Sequence, residues 1–361
     1  MFRPFFRACS RIRASVGDGD SGTESVSNGS GDVRTNGGDA VRTDGGVADS
    51  AMAGETDSGT EGGSVFDSEF VQSLPFWGPP AFLVVLFVYG AVAWNGLISL
   101  TDWEGLGQPE YSNFDLSVYA RMAGELADPT SNFFVATRNT VALLVAFTVV
   151  TLVLGLLLAI LIDQGVRFDN TFRVIYLLPM SLSFVVTAIF WSWMYNPTIG
   201  LVNETLRAVG LGAFTQTWLS DPQFKLGAVI FALMWQFSGY AMVVYLAGLQ
   251  AIPDDQYEAA RVDGASTLRM YWRVIIPQLR SSTTSAAVVL MVFALKAFDF
   301  LFVMFGPNPG PSTDILSVMM FREAFMSTNW SYGSGIATVL FAMALGVIAP
   351  YLYRQYQRGE L

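Results

Sequence analysis

The chain has 361 residues, 52% of them hydrophobic and only 14% charged, with a formal net charge of −10. So apolar a composition excludes an ordinary soluble globular domain and describes a membrane protein. With one cysteine, Cys9, and no histidine, an intramolecular disulfide and His-based catalysis or metal ligation are excluded, and neither lysine, Lys225 or Lys296, stands in the Gly-x-x-x-x-Gly-Lys-Ser/Thr run of a P-loop ATPase.

The first seventeen residues mix Phe2, Phe5 and Phe6 with Arg3, Arg7, Arg11 and Arg13. They lack the apolar core of a signal peptide, so no cleavage is expected. A basic aromatic segment resting on an anionic membrane surface and a plain disordered start both stay open. From 18 to about 70 the residues are mainly Gly, Ser, Thr, Asp and Glu, with fragments such as RTNGGDAVRTDGG. Too little apolar surface is available there to offset chain entropy, so residues 1–70 are expected to form a disordered acidic tail. Abundant Asp beside scarce Lys suggests a salt-loving source, where an acid-rich surface keeps protein soluble.

Six apolar runs follow, at about 79–100, 140–162, 174–195, 226–250, 284–305 and 333–353. Each offers about 20 residues or more, the length a helix needs to cross a hydrocarbon core about 30 Å thick. Lipid gives backbone groups no hydrogen-bonding partner, so the expected fold is an all-α integral membrane protein with six transmembrane helices. Arginine bias orients it. Arg167, Arg173, Arg261, Arg269, Arg273, Arg280, Arg354 and Arg358 fall on one side, against Arg121, Arg138, Arg207, Lys225 and Arg322 on the other. The positive-inside rule then places both termini and the 252–282 loop in the cytoplasm of a multi-pass protein of the cell membrane.

That loop, IPDDQYEAARVDGASTLRMYWRVIIPQLRSS, is the one long polar interruption among the apolar runs. Asp255 and Glu258 have the spacing of a capping box, which predicts a helix from about Gln256. Gly264 suits the left-handed residue that ends a helix, Ser266 can cap a second helix, and Pro277 should stop that one by Ile276. The unit reads as helix, tight turn, helix, with Ala259 and Ala260 leaving the first helix thin enough to enter a groove.

Glu258-Ala259-Ala260, then Asp263-Gly264-Ala265, then Ile275 and Pro277 resemble the cytoplasmic EAA loop of binding-protein-dependent ABC importer permeases. The resemblance covers about 134–354. FRVIYLLP at 172–179, WSWMYNPTIGLVN at 191–203, FDFLFVMFGPNPGPSTDILS at 298–317 and FREAF at 321–325 look like the sugar-type branch, of which the maltose and glycerol-phosphate importers are members. One departure is the run Pro307 to Pro311, where that branch more often has consecutive glycines.

The resemblance implies a type I importer domain over 134–354, a first transmembrane helix with its outer loop over 71–133, and a short cytoplasmic tail over 355–361. It implies that Glu258, Ala259, Ala260, Asp263, Gly264 and Pro277 couple to an ATPase. The implied partners are two nucleotide-binding subunits carrying ATP and Mg, a second permease subunit, an external solute-binding protein and the lipid itself. No cofactor, metal, enzymatic activity or nucleic-acid partner is implied for this chain. The alternative for the loop is an amphipathic hairpin lying against the bilayer. The alternatives for the chain are an ion-gradient-driven secondary carrier and a membrane-embedded hydrolase. The carrier predicts inverted repeats and ion-ligating charges at mid-membrane, of which one Lys/Asp pair is the whole supply. The hydrolase suffers from missing histidines and from spans without clustered acids.

Inside the spans, Lys296 and Asp299 are the charged residues, and three positions apart they are expected to share a helix face. Each costs about 2.5–3.5 kcal/mol at mid-membrane, so they should be paired or face water, either in the solute path or as a structural pair. Trp235, Gln236 and Tyr240 lie near mid-span, where aromatic faces and an amide suit a sugar, although helix packing uses the same residue types. Trp191, Trp193 and Tyr195 end the third run and read as interfacial belt residues.

Overall fold

A computed structural model describes residues 69–109, 111, 114–164 and 169–357, with side chains from residue 73 on. The acidic tail expected at the N-terminus, and loop residues Arg167 and Arg358, lie outside these. The described residues all fall in one unit, Ser64–Leu361. Among them there is no strand, only a single antiparallel bridge between Glu104 and Asn329.

Apolar composition along continuous stretches produces α1 (Ser73–Ile98), a short amphipathic α2 (Ser117–Ala127), and α3 (Asn132–Asp163). The third expected span is a bent pair, α4 (Asp169–Ser181) and α5 (Phe184–Met194), turned through 101°. Then come the short α6 (Leu201–Ala208), α7 (Lys225–Gln250), the polar α8 (Asp254–Val262), α9 (Thr267–Leu295), α10 (Phe298–Phe305), α11 (Leu316–Phe321) and α12 (Trp330–Gln357). Five helices are long and apolar enough to cross a membrane, and the bent pair makes six.

The crossing pattern follows from what touches at each end. Near the starts of α3 and α7, Asn139 Nδ2 donates to the Pro311 carbonyl at 2.9 Å and Lys225 Nζ to the Pro309 carbonyl at 2.7 Å. Near their ends, Ala159 and Ile162 share one apolar cluster with Leu246 and Leu249. The two helices therefore run the same way, and the chain between them must cross back. The bent pair is that crossing: α4 lies against the middle of α7, and Tyr195, just past α5, donates to the Ala228 carbonyl at 3.0 Å near the start of α7. At α1's end Asn95 Nδ2 donates to the Ser334 carbonyl near the start of α12, so α1 begins on the face that carries α8.

α7 is the centre of the bundle and α1 its margin. In their most apolar stretches 61% of α7 is buried within the protein and none of α1 is, so α1's apolar residues are left for lipid. Close packing around α7 depends on Gly239, where any Cβ would run into the Tyr176 carbonyl oxygen.

Three local expectations need correction. First, the third span is broken rather than straight, because Pro179 tightens Leu178–Ser181 into a 3-10 turn and Ser183 Oγ caps α5 by accepting from Val186 N–H. Second, Pro277 does not end the helix after α8. Tyr271–Ile275 winds as a π turn and Ile276–Leu279 as a 3-10 turn, which puts Pro277 where its missing N–H is not needed, and α9 continues from Thr267 to Leu295. Third, the run at 284–305 is interrupted at Lys296 and Ala297, so Lys296 ends one helix and Asp299 begins the next.

Candidate functional site

α8 projects from the bundle after Pro253, which occupies the cap position and supplies no side-chain bond, so the Asp255/Glu258 capping box does not form. The helix starts two residues earlier than that box predicts, with Asp254 and Asp255 both in its first turn, where carboxylates favour the positive helix end. Its C-terminus matches expectation. Gly264 has φ +72, and the bonds Gly264 N to Arg261 O and Ala265 N to Ala260 O, each 3.0 Å, close a left-handed Schellman cap. Ser266 takes the next cap position without a side-chain bond.

Ala260 is buried against Tyr271, Ile275 and the ends of α3 and α7, which fixes the inner side of α8. Glu258, Ala259, Asp263 and Gly264 lie on the exposed side. Val262 and Leu268 flank the turn and are 87% and 80% exposed, large apolar side chains left uncovered by the described residues. A cavity of about 720 Å³ opens beside α8, lined by Asp163, Asp254, Tyr257, Glu258, Arg261 and Tyr271 among others. Burial, and then the charges of Asp163 and Asp254, push the Tyr257 hydroxyl above its ordinary pKa. Pro277 sits within α9, away from the exposed turn.

The residues expected along a solute path line neither the cavity beside α8 nor the smaller one beside Asn308 and Pro311. Trp235 stacks on Phe190 at 5.6 Å and meets Trp191 edge-on. Gln236 is 2% exposed and donates to the Leu182 carbonyl at 2.8 Å, the carbonyl set free by the break in the third span. Tyr240 is half-buried, and Lys296 and Asp299 are exposed, with no ion pair or hydrogen bond from either side chain to the other or to any other described residue. Trp191 and Tyr195 are 5% and 4% exposed inside the core, so the belt assignment holds for neither, while Trp193 is on the surface.

Sequence reading missed a polar lattice on the opposite face. Arg322 donates to Asp314 Oδ2 at 2.7 Å and to the Pro307 carbonyl, while Asn139 holds the Pro311 and Asp314 carbonyls. The proline-rich run 307–311 is thus pinned to α3, α7 and α11. The only signal in the sequence was an Asp and an Arg eight residues apart amid apolar neighbours.

Residues 129–359 match the family described as binding-protein-dependent transport system inner membrane component. The chain belongs to this family. It is accordingly a multi-pass membrane component of a transport system, not an enzyme. Such a component from Haloferax volcanii, the xylose/arabinose import permease protein XacH, is 55% identical over 296 residues, 82% of this chain and 91% of its own. That source agrees with the salt-loving origin read from the composition. The diacetylchitobiose uptake system permease protein NgcF of Streptomyces coelicolor is 31% identical, over 75% of this chain and 78% of its own. The fold is shared with a solved bacterial ABC transporter involved in alginate import, at TM-score 0.65 and 20% identity, over 79% of this chain and 96% of that one.

Proposed function

We propose that this family member forms part of the path by which a neutral sugar, of pentose class, enters the cell, driven by ATP hydrolysis on separate subunits. The observation that carries the sugar is the 55% identity to a xylose/arabinose permease across 91% of that protein's length. The coupling surface is α8 with its turn: Glu258, Ala259, Asp263 and Gly264 seat against an ATPase subunit that holds ATP and Mg, while the buried Ala260 fixes the helix from its inner side. The exposure of Val262 and Leu268 supports this, because apolar side chains on a polar loop are covered by a partner when the system assembles. Pro277 acts from behind, by shaping the π and 3-10 turns at the root of α9.

In this reading the α8 face and both termini are cytoplasmic, as the arginine bias requires. An external solute-binding protein approaches the 307–311 face, and a second, homologous permease subunit covers surfaces this chain leaves bare. Trp235, Tyr240, Lys296 and Asp299 remain the residues proposed nearest the solute, the two charges turned toward the partner permease or the water-filled path, while Gln236 supports the break in the third span. Two packings of the same helices then open the path alternately to each side.

The test is reconstitution in liposomes with the cognate ATPase subunits, second permease and binding protein. Radiolabelled xylose should accumulate only when hydrolysable ATP and the binding protein are both present. Uptake that persists without the ATPase subunits, driven by an ion gradient, would end this reading.

A further inference from the structure

The π turn at the root of α9 has a consequence for how movement of α8 spreads through the bundle. It aims Tyr271, 6% exposed, at the last residue of α3, where Tyr271 Oη donates to Asp163 Oδ2 at 2.9 Å. Tyr257 of α8 meets the Tyr271 ring edge-on, at 6.4 Å and 73°. Around this polar contact the packing is apolar: Ala260 of α8, Met270 and Ile275 of α9, Ala159 and Ile162 of α3, Leu246 and Leu249 of α7. Apolar contacts are non-directional and let one element slide over another. A directional hydrogen bond, here partly buried at the edge of the cavity, fixes register and resists sliding.

α3 is also the longest of the crossing helices among the described residues, at 32 residues. It runs unbroken from Asn132 to Asp163, while the third span is bent by 101° and the fifth is interrupted at Lys296 and Ala297. From Asn139 to Asp163 it spans on the order of 36 Å at 1.5 Å per residue. Its far end grips the opposite face through Asn139, bonded to the Pro311 and Asp314 carbonyls, and through Thr140, whose hydroxyl accepts from Leu316 N–H at 2.9 Å. The cavity beside α8 leaves that helix room to shift on its open side.

We infer that Tyr271 and Asp163 are positioning residues that form a joint between α3 and the root of α9, against which α8 packs through Tyr257 and Ala260, so that displacement of α8 is delivered along α3 to the 307–314 loop on the other side of the membrane. This rests on the reading of α8 as the ATPase-coupling helix. Neither residue touches solute or nucleotide; each acts through the helix it holds.

The test uses the complete reconstituted complex and measures radiolabelled xylose taken up per ATP hydrolysed. Tyr271→Phe should keep ATP hydrolysis within about twofold of wild type and lower the uptake-to-hydrolysis ratio at least about fivefold. This is the behaviour expected when two sites lose their energetic link. Asp163→Ala should do the same, and the Tyr271→Phe/Asp163→Ala pair should be no worse than either alone. Asp163→Asn retains an oxygen acceptor and should stay near the wild-type ratio. An unchanged ratio in Tyr271→Phe, additive losses in the pair, an Asn variant as uncoupled as the Ala variant, or loss of ATPase subunits from the purified Tyr271→Phe complex would each overturn the joint. Absence of ATP-dependent xylose uptake in the wild-type complex would instead overturn the functional reading beneath it.

Discussion

Asp314 is 8% exposed and holds its charge against two opposing influences. Burial pushes its pKa up from 3.8, and the Arg322 guanidinium at 2.7 Å partly opposes that; the net direction is upward. A carboxyl raised by folding contributes stability fully below its unfolded pKa and loses it as pH rises through the folded pKa. Arg322→Ala removes the opposing cation and leaves a buried, unpaired carboxylate, a change that costs about 3–5 kcal/mol when the group cannot protonate. The melting temperature of Arg322→Ala in detergent should therefore fall steeply between mildly acidic and neutral pH. Asp314→Asn in the same background should flatten that dependence, as read by a thermal melt at successive pH values. The Asp314–Arg322 pair was beyond sequence reading because nothing local marks which of several charges near a membrane face will meet.

At the scale of single elements, the broken third span and the α8 turn depend on different kinds of support. The break exposes the Leu182 carbonyl at membrane depth, and Gln236 supplies its donor from α7. Gln236→Leu keeps the volume and deletes the donor, which should cost about 1–3 kcal/mol, lower the melting temperature in detergent, and leave the range of sugars transported unchanged. A changed sugar range with an unchanged melt would return Gln236 to the solute path. The α8 turn is carried by its own backbone. Gly264 at φ +72 makes Gly264→Val a local strain of about 1–2 kcal/mol, and the variant should reach the membrane in normal amount yet fail to retain the ATPase subunits on purification. The turn was readable because glycine's freedom is a property of the residue itself. The continuation of α9 through Pro277 was not, since it depends on Tyr271, Ile275 and Leu279 packing against α3 and α7.

For the molecule as a whole, the parallel run of α3 and α7 sets the start of α1 and the α8 loop on the same face. With Cys9 replaced by Ser, a single cysteine at Glu258 should react with a membrane-impermeant thiol reagent only in inside-out vesicles. Labelling in right-side-out vesicles would reverse the orientation argued from the arginines. The six apolar runs, the polar loop and the family motif were all visible before any coordinates. The pathway residues were placed less well. Lys296 and Asp299 were expected to share a helix face, yet they fall on either side of a break, with no ion pair among the described residues.

Sequence alone determined that this is a six-span helical membrane component with a glycine-capped helix projecting from one face. Those features follow from the length of each apolar run and from the steric limits of single residues. Tertiary structure decided which span would bend, which polar groups would be buried, and which helix joins the α8 face to the far side. Each of these turns on a contact between residues distant in the chain, 54 positions for Gln236 with Leu182 and 108 for Tyr271 with Asp163. Such partners are chosen by how the helices pack, and no local pattern encodes them.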